Sequence, residues 1–293
     1  MKLKEIYNSK KPVISYEIFP PKGEGAELKV KIETLFQELN TLLKYNPSFI
    51  SVTYGAGGST RERTLELVLK VKNELNIQPL LHFTCVGTEK EQTHQYIKEV
   101  QDAGIENILA LRGDPPKGET KFVKPENGFG YANELVEFIS FHTDLGIAVA
   151  GYPEGHQECA SFEQDIINLK KKVDAGADVI ITQLFYDNAF FFNYLEKAHK
   201  AKIDVPIIPG IMIITNVSQV ERMTTMCGCT IPDKIMSKLK EYQDDNKAVS
   251  EIGIEYAINQ CKELLASDVP GLHFCTLNKA SATDRVLKEL DIK

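Results

Sequence analysis

The stretch LKKKVDAGADVIITQLFYD, residues 169–187, decides the architecture. It opens on the last turns of a helix expected over Phe162–Ala175. Gly176 follows where that helix must stop, because glycine accepts the left-handed conformation of a helix C-cap. A strand is then expected over Val179–Gln183, apolar without alternation until Thr182 and Gln183. Continuous apolar runs suit strands covered on both faces, the condition of a parallel sheet.

The same unit recurs in both directions along the chain. The other strands are expected at Val13–Ile18, Phe49–Val52, Pro79–Thr84, Asn107–Leu111, Ile147–Ala150, Ile207–Ile211 and Leu272–Thr276. Helices are expected at Ala26–Leu43, Arg61–Leu75, Lys90–Ala103, Asn133–His142, Ala189–Ala201 and Ser281–Leu290, with several helical pieces inside Val217–Ala266. Gly104 and Gly146 read as helix caps, like Gly176. Eight strand–helix units in 293 residues predict a single-domain α/β protein, a (β/α)8 TIM barrel. An open doubly wound sheet would carry a glycine fingerprint after its first strand, and Phe19-Pro20-Pro21-Lys22-Gly23 is not one. The polar stretch Lys238–Lys247 reads as an exposed loop on an insertion before the last strand.

Composition narrows the function. Hydrophobic residues at 43% and charged residues at 26% are those of a globular protein. With 34 Lys and Arg against 41 Asp and Glu, the net charge is −7. That balance argues against nucleic acid and membrane surfaces as partners, and leaves room for a small anionic ligand. No run of 18 apolar residues and no basic-then-apolar leader is present, so a cytoplasmic protein is expected. Six scattered cysteines without a CxxC predict reduced thiols and no metal site.

In a parallel barrel, chemistry gathers at the C-terminal ends of the strands. There this chain places Tyr16-Glu17, Thr53-Tyr54, His82 with Thr84, Arg112-Gly113-Asp114, Gly151 to His156, Thr182-Gln183 and Thr276 to Lys279. Glu17 reads as a general acid whose carboxyl the barrel walls raise towards neutrality, or as a strand-end ion pair. Asp114 reads as a fixed charge on a loop stiffened by Pro115 and Pro116, or as a turn partner of Arg112. His82, inside an apolar strand, reads as a satisfied wall histidine. Gly55–Ser59 resembles a phosphate cradle without the P-loop lysine. Asp165, Asn168 and Lys172 share a helix face, ordinarily a solvated one. Glu17 and Asp114 also suit the carboxylate pair of a barrel glycosidase, although the absence of tryptophan speaks against sugar platforms. A non-catalytic flavin-holding barrel is a further alternative.

The ordered blocks SYEIFPPK (15–22), SVTYGAGGSTRERT (51–64), LHFTC (81–85), ILALRGDPP (108–116), GYPEGH (151–156), LKKKVDAGADVIITQLFYD (169–187), IIPGIM (207–212) and HFCTLNKA (273–280) together resemble methylenetetrahydrofolate reductases of the single-domain bacterial type. The resemblance implies an FAD-binding barrel. It would reduce 5,10-methylenetetrahydrofolate to 5-methyltetrahydrofolate with NADH or NADPH, by ping-pong hydride transfer through the flavin. It implies Glu17 as the acid that protonates folate N10. Asp114 becomes the carboxylate beside flavin and pterin, lowering the flavin potential. The implied cofactor contacts are Thr53 (near the nicotinamide), Tyr54, His82, Arg112, Gly113, Asp114, Ala132, Tyr152, His156, Asp165, Asn168 and Lys172. Gln183, Gln219 and Lys279 would contact folate, an amide suiting the donor–acceptor edge of a pterin. A homo-oligomer is expected, with no nucleic-acid or membrane partner. Two positions depart from the family pattern. Lys279 stands where arginine is usual and lacks its planar fork, with Arg285 one turn on as a helper. Leu184 stands where an aromatic is common.

Overall fold

The computed structural model describes residues 1–8, 12–54, 61–115, 119 and 121–292. Eight parallel strands close into a barrel in sequence order: β1 Val13–Ile18, β2 Phe49–Val52, β3 Gln78–Thr84, β4 Asn107–Leu111, β5 Gly146–Gly151, β6 Val179–Leu184, β7 Ile207–Ile211 and β8 Gly271–Cys275. Closure is made by β1 against β8, from Val13↔Gly271 to Glu17↔Cys275. The helices are α1 Leu3–Ile6, α2 Gly25–Leu42, α3 Arg61–Leu75, α4 Lys90–Asp102, α5 Ala132–His142, α6 Phe162–Asp174 and α7 Asn188–Lys200. After β7 come α8 Val217–Cys227, α9 Asp233–Glu241 and α10 Asn246–Ala266, and α11 Ser281–Glu289 follows β8.

Side-chain alternation sorts each strand into two fates. In β1, Ile14, Tyr16 and Ile18 join the large core under the helices, while Val13 belongs to a smaller cluster inside the barrel. In β3, Leu81 and Phe83 face the helices and Leu80 faces inward. The interior cluster also holds Phe49, Leu109, Ala148, Val179, Ile181 and Ile208. Leu3 and Ile6 of α1 complete it, so this short helix is the floor. Asn107 fastens the floor, accepting from the Leu3 N–H at 2.8 Å and donating to the Met1 carbonyl at 3.0 Å.

Two expectations are corrected here. Gly146 is not a helix cap, since α5 ends at an extended Thr143 and Gly146 begins β5. Its missing side chain serves close approach instead, because a Cβ would meet Asn107 Oδ1 at 2.4 Å. Residues 238–247 are not a loop either. Ile235 and Leu239, one turn apart, bury one face of α9, and Asp245 caps α10 by accepting from the Lys247 and Ala248 N–H groups at 2.9 and 3.1 Å. Only 242–245 connects the two helices. The Gly55–Ser59 cradle lies outside the described residues.

Truncating the floor tests its importance. Leu3 is fully buried, so Leu3→Ala should lower stability by about 2–5 kcal/mol, the usual range for a buried leucine. Urea unfolding should show an earlier midpoint with an unchanged slope.

Candidate active site

Above the apolar floor the inward positions turn polar. Ser15 and Ser51 flank His273, their Oγ atoms 2.7 Å from Nδ1 and 3.3 Å from Nε2. The next inward residue of β1 is Glu17. Its Oε2 lies 3.6 Å from His82 Nε2 and 3.8 Å from His273 Nε2. Each position follows from alternation: Val13, Ser15 and Glu17 on β1, Leu80, His82 and Thr84 on β3, His273 and Cys275 on β8. His82 therefore faces the barrel mouth beside Glu17 and is not a satisfied wall histidine. Its Nε2 and the Thr84 hydroxyl are buried without a hydrogen-bond partner among the described residues.

Burial and close neighbours together set the charges here. Burial draws His82 down to about 4, with Glu17 pulling the other way, so the imidazole is neutral at pH 7. Burial pushes the Glu17 carboxyl up. His273, His82 and Cys275 outweigh it, and the net direction is downward. The expected rise towards neutrality is thus absent from the open mouth, and Glu17 is a carboxylate there. Cys227 of α8 stands near both candidate carboxylates. Burial, then the charges of Glu17 and Asp114, push its thiol up to about 11. Asp114 itself is exposed on the rim. Gly113, just before it, has a φ of +89° and lies so close to Thr84 that a Cβ would sit 2.9 Å from that side chain.

A cleft of about 480 Å³ opens beside this mouth, between the ends of β4 and β5. It brings together Arg112, Ala132, Tyr152, His156, Asp165, Asn168 and Lys172. Asp165 is buried and accepts from the His156 N–H at 3.2 Å. The Lys172 ammonium donates to the Ala150 carbonyl at 2.6 Å and lies 5.8 Å from the Tyr152 ring centre. Arg112 forks onto Glu158 at 2.5 and 2.8 Å. The Asp165–Lys172 face is therefore a cleft wall rather than a solvated helix surface. The cleft's lining brings Arg112, Lys171 and Lys172 together with the N-terminus of α5 at Ala132, a setting for an anionic group.

The remaining candidates spread around the rim. The Thr53 carbonyl receives the Thr64 hydroxyl at 3.2 Å. Tyr54 packs edge-on against Phe83 and lines a separate hollow of about 510 Å³ with Arg61 and Tyr96. Gln183, half-buried at the end of β6, folds its Oε1 back onto the Leu184 N–H at 2.9 Å. Gln219 lies in the first turn of α8, its N–H capped by Asn216. Lys279 is exposed. Both terminal nitrogens of Arg285 are held by Glu251 at 2.6 Å. Sequence reasoning did not single out His273, Ser15, Ser51 or Glu158. The period-2 alternation of β1 and β8 was the signal for the first three.

The cleft makes a testable statement about charge. Burial draws the Lys172 ammonium down to about 8, and Asp165 only partly opposes this. An anion binds the protonated form. The affinity for ADP should therefore fall about tenfold per pH unit once pH rises above 8, and Lys172→Met should flatten that slope. Titration calorimetry between pH 7 and 9.5 measures both.

The family model described as methylenetetrahydrofolate reductase matches residues 2–291. The Arabidopsis thaliana protein named methylenetetrahydrofolate reductase (NADH) 1 is 38% identical, over 99% of this chain and 50% of its own length. The Escherichia coli protein named 5,10-methylenetetrahydrofolate reductase is 34% identical, over 96% of this chain and 91% of its own. The chain thus spans about half the length of the plant relatives and nearly all of the bacterial ones. A Clostridium thermocellum protein, described as binding two copies of 5-methyl-5,6,7,8-tetrahydrofolic acid, has the same fold. Its TM-score is 0.66 at 16% identity, with 100% of this chain and 99% of that one covered. By the family match along its length and its bacterial relatives, the chain belongs to the methylenetetrahydrofolate reductase family.

Proposed function

We propose that this protein reduces 5,10-methylenetetrahydrofolate to 5-methyltetrahydrofolate, with NADH or NADPH as reductant and FAD as the resident cofactor. The observation that carries the reading is a half-buried carboxylate, Glu17, set between two histidines in the barrel mouth beside a cation-lined cleft. The cleft suits FAD. Arg112 and Lys172 complement a pyrophosphate, and Tyr152, His156 and Asn168 offer an aromatic face and polar groups for its sugar half. The unpartnered His82 Nε2 and Thr84 hydroxyl offer hydrogen bonds from the mouth. Bound there, the flavin would supply hydride transfer between nicotinamide and folate.

The protein's own part is proton handling and orientation. Glu17 holds the proton destined for folate N10 as the methylene bridge opens. In the open mouth Glu17 is ionised, with 20% of its side chain still exposed. A ring seated over the mouth removes that water. Burial is already the largest influence on this carboxyl, so covering it drives the group towards the protonated form that an acid needs. His82, neutral, does not oppose the change as an imidazolium would. Asp114, on the rim, adds negative charge that disfavours an anionic reduced flavin. Gln183 and Gln219 offer amides to the pterin, and Lys279 a cation to the glutamate tail.

Two measurements test this reading. Glu17→Gln should slow folate reduction by about 100-fold or more, the usual contribution of a general acid. Flavin bleaching by NAD(P)H should stay near wild type in stopped flow, because that half-reaction needs no proton at folate. Equal losses in both would remove Glu17 from the chemistry. At Lys279 the charge is exposed and unforked, so folate KM should rise with salt. Lys279→Ala should raise folate KM and abolish the salt effect, and Lys279→Arg should match or improve on wild type. Steady-state kinetics with mono- and polyglutamylated folate decide the matter.

A further inference from the structure

The β1–β8 ladder stops at Glu17↔Cys275. Immediately afterwards Leu277 and Asn278 take φ values of +49° and +62°, so the β8 backbone turns away from β1. The Asn278 side chain takes over the pairing. The Phe19 N–H donates to Asn278 Oδ1 at 2.8 Å, and Asn278 Nδ2 donates to the Phe19 carbonyl at 2.8 Å. A neighbouring strand's backbone would supply the same donor and acceptor. Thr276 adds two bonds to the Glu17 carbonyl, from its N–H at 3.2 Å and its hydroxyl at 2.8 Å. The Asn278 N–H in turn donates to the Thr276 hydroxyl at 3.3 Å. The chain is therefore held at Glu17 and again two residues later.

Asparagine meets both demands of this place. Its planar carboxamide carries one donor edge and one acceptor edge. It also tolerates the left-handed backbone that most side chains avoid. Aspartate keeps the shape and that tolerance, but sets a second oxygen against the Phe19 carbonyl.

We propose that Asn278 is a positioning residue for Glu17: its carboxamide extends the β1–β8 pairing past the last ladder bond and holds the Glu17 carboxylate at its place between His82 and His273. The inference rests on Glu17 acting as the proton donor to folate. A misplacement of about 1 Å at a reacting group can cost about 100-fold in rate, and Phe19 without its clamp frees the end of β1.

Asn278→Asp and Asn278→Gly test this, the glycine variant keeping the backbone relaxed. Hydrogen exchange should show a slow Phe19 amide in the wild type and a fast one in both variants. The folate half-reaction should lose about 10- to 100-fold in rate with folate KM little changed, and its pH profile should shift. NAD(P)H reduction of the flavin should stay within about twofold. In the Glu17→Gln background, Asn278→Asp should add little further loss, since both act through one carboxylate. A Phe19 amide that stays protected, or equal losses in both half-reactions, overturns the proposal. A full additional loss on top of Glu17→Gln also overturns it, by showing action through something else. If Glu17→Gln alone spares folate reduction, the role of Glu17 fails, whatever the variants at Asn278 do to the Phe19 amide.

Discussion

A closed parallel barrel has one interior, and strand alternation admits only every second residue to it. The mouth depends on this constraint. On β1 the three admitted side chains are Val13, Ser15 and Glu17, which run from apolar floor through a hydroxyl to a carboxylate. β3 repeats the gradient as Leu80, His82 and Thr84. The floor, sealed by Leu3 and Ile6, keeps water away from below. The polar groups above therefore exchange with solvent only from the top; burial governs the charge of His82, and close neighbours govern that of Glu17. That is why His82 is neutral although a carboxylate stands 3.6 Å away. It is also why the Glu17 proton is sensitive to whatever covers the mouth.

The cleft beside the mouth follows a related rule, since buried charges persist only in company. Lys172 and Asp165 share one wall, and Arg112 is engaged by Glu158. The loop after β5, which carries Tyr152, His156 and Glu158, is also tied across the top to the insertion after β7. Glu154 accepts from the Thr230 N–H and hydroxyl, and Gln157 donates to the carbonyls of Thr225 and Met226. The wall bearing the cleft and the helix bearing Gln219 are thereby one connected surface.

The strands were legible in the sequence because a continuous apolar run that follows a glycine stop fits a strand covered on both faces and little else. β1, β2, β4 and β7 lie where their residues say, and the others differ by one residue at one or both ends. The end of α9, Lys238–Glu241, was read as part of a loop because only Leu239 in it is apolar and the residues around it are charged. The placement of candidate residues was legible where the strands and the loops after them carry unusual polar residues, as at Glu17, Arg112 and His156. It was illegible wherever meaning comes from a partner far along the chain. Nothing near His273 in sequence names Ser15, Ser51 or Glu17 as its neighbours. Asp165 and Lys172 have the spacing of a solvated helix face, and only the packing of α6 against β5 turns them inward. The downward direction at Glu17 likewise comes from three groups on β3 and β8 that a linear pattern does not connect.

The pairing of β1 with β8 joins residues about 260 positions apart. Contacts of such separation form late, because the entropy of closing so long a loop must be met before they contribute. The quarter of the barrel that carries the cation-lined cleft, β4 to α6, is local by comparison. The two parts of the candidate site thus differ in how far along the chain they reach: the cleft is lined by residues 110–172, whereas the seam that carries Glu17 exists only where the two ends of the chain meet.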